Sequence, residues 1–232
     1  MVSKYFKVFT IFVVSLATLA YSTVPVSALS SEGEAPAVAS QTALADLEDA
    51  AQAQSVAQPV EGDEAEEYAA QARDAVSATG THLKEGESAD FGQAEVSRLE
   101  DGTNIVIFPL AGGDLTNSAL TVSIASDGTT GSVHEMLLRE ISATSGSVEF
   151  WVDGVKHADQ VVDENQVSTQ GWSEFLNCLN NQGAAAWLVT AITIACAAIC
   201  AGTAGAGCIP CIAAAAGTTG GVVGYCLAQA GL

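Results

Sequence analysis

The middle of the chain alternates between apolar and polar residues, a pattern typical of β-strands. A continuous apolar run covers residues 105–108, and two alternating stretches have apolar side chains at Leu120, Val122, Ile124, Val148, Phe150 and Val152. Asp-Gly pairs lie between such runs at 101–102, 127–128 and 153–154, and this dipeptide is a strong signal for a tight hairpin turn. Residues 94–165 are therefore predicted to form an antiparallel β-meander domain of about five to seven strands, with one face buried.

The C-terminal part of the chain has the pattern of apolar helices. Two apolar segments, residues 184–201 and roughly 211–230, flank the Gly-rich stretch 202–207, which has the composition of a turn. This pattern predicts a small, all-α helical hairpin domain over residues 171–232. Together with the meander, it makes the predicted fold class α+β.

The first 28 residues have the organisation of a signal peptide. Lys4 and Lys7 precede an apolar run from Val8 to Ala20, and Val26-Ser27-Ala28 supplies the small residues that signal peptidase prefers. Cleavage is predicted after Ala28, with an uncleaved N-terminal anchor as the alternative.

Residues 29–93 are predicted to be an acidic, Ala-rich spacer. Helix propensity is high over residues 42–78, which predicts two helices broken near Gln58-Pro59. Their apolar stripes consist mostly of Ala with few large side chains, so disorder is the alternative.

Charge is distributed unevenly. The chain has 27 acidic and seven basic residues, and 26 of the acids precede residue 171, whereas residues 175–232 carry no charged side chain. An anionic chain repels phosphates and anionic lipid headgroups, so nucleic acid is excluded as a partner. The simplest role of the acidic residues is to keep an exported chain soluble.

No catalytic pattern stands out. His82, His134 and His157 are scattered without the spacing of metal ligands or of a catalytic triad, and each is interpreted as a surface or edge residue. The chain is predicted not to be an enzyme and to use no cofactor and no metal.

All cysteines lie in the C-terminal part. The six are Cys178, Cys196, Cys200, Cys208, Cys211 and Cys226. An even number in a small exported segment predicts a disulfide framework. An antiparallel hairpin pairs residues whose numbers have a nearly constant sum, which favours the nested set 178–226, 196–211 and 200–208 among the possible pairings.

Three other interpretations of this region remain open. Cys208-Ile-Pro-Cys211 has the C-x-P-C form of a dithiol oxidoreductase, although it does not follow a strand as in such enzymes. Cys196, Cys200, Cys208 and Cys211 have a spacing that a zinc site tolerates. Each apolar segment also approaches the length of a transmembrane helix, although no Lys or Arg flanks it.

The cysteine and glycine spacing resembles that of the halocin C8-like bacteriocin domain. The matching residues are Trp172, Cys178-Leu179, Gly183, Ala186-Trp187, Cys196, Cys200, Gly207-Cys208-Ile-Pro-Cys211, Gly217 to Gly221 and Tyr225-Cys226. The resemblance implies a secreted precursor, cut by a processing protease to release a hydrophobic, disulfide-rich antimicrobial peptide. It also implies that the upstream part serves as an immunity partner.

Two functions are therefore expected from the sequence. In the first, the C-terminal module is released and acts on the membrane or a receptor of competing cells, while the middle region is a solubilising or immunity segment. In the second, the chain is a non-toxic envelope or binding protein anchored by its apolar hairpin. Both place the protein outside the cell, secreted or associated with a membrane.

Overall fold

The structure is a computed structural model that describes residues 46, 49–50, 52–54, 56–164, 177–178, 181, 185–203, 205 and 207–219. The strands are β1 (Gln58–Pro59), β2 (Ser88–Ala89), β3 (Glu95–Arg98), β4 (Asn104–Ala111), β5 (Ser118–Ile124), β6 (Thr130–Ser142), β7 (Ser145–Val152) and β8 (Val155–Asp163). The helices are α1 (Asp63–Thr79), α2 (Ala186–Gly202) and α3 (Cys208–Thr219), with a 3-10 turn at Phe91–Gln93. Residues 46, 49–50 and 52–54 are also helical.

The eight strands form one antiparallel sheet. Strands β3 to β8 follow one another as a meander, β1 pairs with β3, and β2 pairs with the end of β4. The predicted α+β fold class and its antiparallel meander are therefore confirmed, followed by two C-terminal helices.

The three Asp-Gly pairs lie in turns between strands, as predicted. Gly102, Gly128 and Gly154 have φ angles of 85°, 84° and 77°, which a glycine adopts without steric cost. Asp101 and Asp127 each accept a hydrogen bond of 2.9 Å from the backbone N–H two residues later. Local turn chemistry thus sets these hairpins.

Both faces of the sheet are buried at its centre, so the expectation of one buried face is wrong. Along β4, Ile105 and Ile107 point to one core, whereas Val106 and Phe108 point to the other. The reason is that helices cover both sides of the sheet. We call the two sides the α1 face and the hairpin face.

The α1 face is covered by one amphipathic helix. Ala69, Ala72 and Val76 are the buried residues of α1, and they belong to the same core as the side chains of β4 and β5 on this face. Small Ala side chains allow the helix to lie close to the sheet, while the acids of its first turn, as in Asp63, favour the helix N-terminus. The predicted break at Gln58-Pro59 is strand β1.

The hairpin face is covered by α2 and α3. The first helix agrees with its predicted segment, but α3 begins at Cys208 instead of near Cys211. Pro210 is tolerated there because the first turn of a helix has backbone N–H groups without intrahelical partners. Among the described residues, no helix is both long and apolar enough to span a membrane. The predicted signal peptide, its cleavage site at Ala28 and Cys226 lie outside the described residues.

Candidate functional site

Helices α2 and α3, with the connecting residues 203–207, form what we call the disulfide hairpin. Cys196 is bonded to Cys211 and Cys200 to Cys208, with Cα–Cα distances of 5.6 and 4.8 Å. These are the two inner rungs predicted from the residue sums. Cys178 is also disulfide-bonded, and its predicted partner, Cys226, lies outside the described residues.

The connection between the two helices is held by its own side chains and backbone. Thr203 Oγ1 donates a hydrogen bond of 2.7 Å to the Ile199 carbonyl and accepts one of 2.8 Å from the Gly207 N–H. Gly205 has a φ of 91°, and a Cβ at Gly207 would overlap Ile199 and Thr203. The glycines therefore permit a tight reversal that brings the cysteine rungs into register.

The disulfide hairpin lies on the sheet and shares its core. Helix α2 packs mainly on β7 and β8, and α3 on β5 and β4. The side chains of the hairpin face that join this core are Ile105, Ile107, Ala119, Met136, Leu138, Val148, Phe150, Ala158 and Val162. The four cysteines of the two inner rungs are 0–2 % exposed. The sheet thus covers the side of the disulfide hairpin that contributes to this core.

Trp187 is the largest side chain at this contact and is 1 % exposed. It lies in the first turn of α2, and its ring sits directly against the backbone of Gly146 in β7, where a Cβ would overlap three ring atoms. The glycine therefore forms a notch in the sheet that accepts the indole.

Two buried polar side chains of the sheet strands point to the hairpin face and have a polar atom without a hydrogen-bond partner among the described residues. These are Thr121, through Oγ1, and His134, through Nδ1. The expectation that His134 is a surface residue is wrong, since it is 3 % exposed and packs edge-on against Phe150. Its burial is decided by the helices that cover its strand. Desolvation is the main cause that lowers the pKa of His134 to about 4, so the ring is neutral.

The α1 face contains a polar cluster that the sequence did not reveal. The backbone N–H of His82 donates to both oxygens of Glu135, at 3.0 and 3.1 Å, and its Nδ1 lies 2.7 Å from Oε2. The His82 ring stacks on Trp151 with 3.5 Å between centroids. His82, interpreted from the sequence as a surface or edge residue, has a side chain that is 31 % exposed, and it attaches the segment after α1 to the sheet. His157 is exposed, as predicted.

A buried arginine extends this cluster. Arg139 donates to both oxygens of Glu87, each at 3.1 Å, and to Glu149 at 2.9 Å. The side chains of Arg139 and Glu87 are 4 % and 2 % exposed. The sequence shows only that the charged residues Glu135 and Arg139 flank the apolar residues 136–138 within β6. Their partners are 52 and 53 residues away, which no local pattern can predict.

The chemistry available at the cysteines is that of structural disulfides. Cys208 and Cys211 are bonded across the hairpin to different partners, whereas a C-x-P-C dithiol site requires them to be bonded to each other. The same two bonds occupy all four thiols considered for zinc. In the part of the chain that the structure describes, no group of three His, Cys, Asp or Glu side chains is placed to hold a metal ion.

Neither a protein-family model, nor a curated protein, nor a solved structure matches this chain. The resemblance to the halocin C8-like domain therefore rests on the residue spacing alone. Disulfides persist in oxidising compartments, so the two bonds indicate that the hairpin exists outside the reducing cytosol.

Proposed function

We propose that this chain is the exported precursor of a small antimicrobial peptide similar to the halocin C8-like bacteriocins. Residues 171–232 are the peptide, and the preceding sheet keeps the peptide covered until a protease separates the two. The observation that carries the proposal is the position of the disulfide hairpin, an uncharged helical pair that buries its apolar side on the sheet.

The cross-links give the hairpin a means of persisting after release. A small helical pair buries too little apolar surface to be stable by itself, and each disulfide contributes about 2–4 kcal/mol by restricting the unfolded chain. Once separated from the sheet, α2 and α3 expose the residues that the sheet now covers, among them Trp187, Leu188 and Ile192. Such a surface favours a bilayer or an apolar receptor pocket.

The region that contains the sheet provides a docking surface for the hairpin and the charged side chains that the hairpin lacks. It presents an apolar surface that matches the hairpin, and residues 29–170 carry 26 acidic and five basic side chains, which keep the precursor soluble. The same surface suits the sheet to bind a released hairpin and protect the producing cell. Signal peptidase and a processing protease are the partners that such a route requires.

The test is to release the hairpin from the intact, oxidised protein. A recognition sequence for a site-specific protease is inserted between residues 164 and 177, and the chain is cut after purification. We expect the separated hairpin, with its disulfides verified by mass spectrometry, to inhibit growth of related strains and to release dye from lipid vesicles. The uncut chain is expected to do neither.

Two controls make this test specific. A chain with a scrambled recognition sequence receives the same protease, and vesicles are made with and without anionic lipid. Because residues 175–232 have no charged side chain, dye release is expected to be independent of the anionic fraction. A separated, correctly bonded hairpin that is inactive in both assays overturns the proposal. A full-length chain that stays with cell envelopes through an alkaline wash favours an anchored envelope protein instead.

A further inference from the structure

Gly146 occupies a position where a glycine is unexpected. It lies inside β7, paired with Glu140 of β6 and Val162 of β8, and it is not among the residues with φ in the left-handed region. A glycine inside a strand weakens the strand because it has no side chain to pack. The strand pairing shifts register between Glu140 and Ser142, next to Gly146, but the φ of Gly146 does not require a glycine, so the reason lies in what approaches it.

What approaches Gly146 is the indole of Trp187. A Cβ on Gly146 would coincide with the benzo part of the ring, at Cε3, Cζ3 and Cη2. The ring is rigid and is enclosed by the core, so it has no room to move aside. The largest buried side chain of the disulfide hairpin therefore requires a residue without a side chain at this point of the sheet.

We propose that Gly146 is the specificity-determining residue with which the sheet recognises the disulfide hairpin, and that Trp187 is the side chain it recognises. The inference rests on the proposed function in assigning the sheet the role of holding and releasing the hairpin. A hairpin with a small residue in place of Trp187 leaves the notch empty, and a sheet with any larger residue in place of Gly146 excludes the indole. Shape complementarity at one contact thus selects the cognate pair.

The experiment measures docking in the intact, oxidised chain without any killing assay. The readout is the rate at which dithiothreitol reduces the Cys196–Cys211 and Cys200–Cys208 bonds, since these sulfurs are covered while the hairpin is docked. We expect Gly146→Ala to raise this rate about ten-fold or more, because overpacking a filled core favours the undocked state. Hydrogen exchange should increase in α2 and α3 and remain slow in α1.

Gly131→Ala is the matched control. Gly131 also lies in a strand, but a Cβ there meets Ser123 of the neighbouring strand and not the hairpin. The disulfides of this variant are expected to be reduced within about two-fold of the original rate, since the Ser123 hydroxyl can rotate away and the contact of 3.2 Å with the Ser123 carbonyl needs only a small shift. An equal acceleration in Gly131→Ala and Gly146→Ala shows a general weakening of the sheet and overturns the proposal.

A second variant keeps the test decisive if Gly146→Ala fails to fold. Trp187→Leu removes the ring, so Gly146→Ala is expected to fold in that background and to cause no further acceleration there. An undiminished effect of Gly146→Ala in the Trp187→Leu chain overturns the proposal. Failure of the released hairpin to kill cells or open vesicles contradicts the antimicrobial function, which this docking measurement does not involve.

Discussion

The two faces of the sheet bury polar side chains in opposite ways. On the α1 face, the buried polar residues are Asn104, Ser118, Glu135 and Arg139, and each one is hydrogen-bonded within the protein. On the hairpin face, Thr121 and His134 are equally buried, and each has a polar atom without a partner among the described residues. Trp187 of the docked helix adds an Nε1 that likewise has no partner in the described part of the chain.

This difference affects how strongly the helices on each face are held to the sheet. A buried polar group without a hydrogen bond costs about 1–3 kcal/mol relative to one that is satisfied, and exposure to water removes that cost. The α1 face gains nothing from opening, apart from the Nε1 of Trp151. The hairpin face does gain, so in this respect its cover is held less strongly than the cover of the α1 face.

The largest effect is expected on the α1 face, from Arg139→Met. The change leaves the carboxylate of Glu87, 2 % exposed, buried without its cation, which typically costs about 3–5 kcal/mol. Urea unfolding measures the loss. Glu64→Gln is the control, because it removes only the solvent-exposed ion pair with Arg98 and keeps the hydrogen bond from Arg98 to the buried Asn104, so little change is expected. If the two variants unfold alike, the α1 face does not depend on its buried ion pair.

The second prediction concerns the disulfides that join the two helices covering the hairpin face. Removing the pair Cys196–Cys211 by substituting both residues with Ala should lower the free energy of unfolding by about 2–4 kcal/mol. Hydrogen exchange is expected to rise in α2 and α3 while α1 stays protected. Simultaneous loss of protection in all three helices would show that the two covers are not independent.

The third prediction uses the buried histidine. The pKa of His134 is about 4 in the folded protein against 6.5 in the unfolded chain, so between these values the unfolded state binds more protons. The neutral ring makes its full contribution to the free energy of unfolding above pH 6.5. This contribution, about 3 kcal/mol, is lost as the pH falls to about 4.

His134→Phe isolates this contribution. The nearby charged groups are Asp153, which raises its pKa, and His157, which lowers it, while residues 175–232 of the covering segment carry no charge. The variant should unfold with a weaker pH dependence between pH 6.5 and 4 in urea titrations. His157→Gln, an exposed site, should retain the dependence. Identical pH profiles for wild type and His134→Phe refute the assignment.

The smallest effect compares two hydroxyls on one strand. Thr121→Val removes an unpaired hydroxyl of the hairpin face and should stabilise the chain by about 1 kcal/mol. Ser118→Ala removes a hydroxyl of the α1 face that bonds the Leu138 N–H and carbonyl at 2.8 and 3.1 Å, and should destabilise it by a similar amount. Thermal unfolding distinguishes the signs. A destabilised Thr121→Val protein would mean that the two faces do not differ in polar satisfaction.

Much of the local structure was predictable from the sequence. The strand alternation at Val148 and Phe150 and the Asp-Gly turns placed the meander, because side-chain direction has a period of two residues and glycine tolerates the turn geometry. The inner rungs were predictable because Cys196 and Cys200 share one helix face. The start of α3 was missed, since Pro210 resembles a loop residue until its place in the first helical turn is known.

The sequence alone determined the elements whose causes lie within a few residues: turns, strand alternation, helices and the pairing of nearby cysteines. The tertiary structure decided what covers each face. It buried His134, joined Arg139 to Glu87 across 52 residues and placed Trp187 on Gly146. These contacts depend on which surfaces meet when the sheet and helices pack, and packing follows from three-dimensional shape and the exclusion of water, which a one-dimensional pattern does not contain.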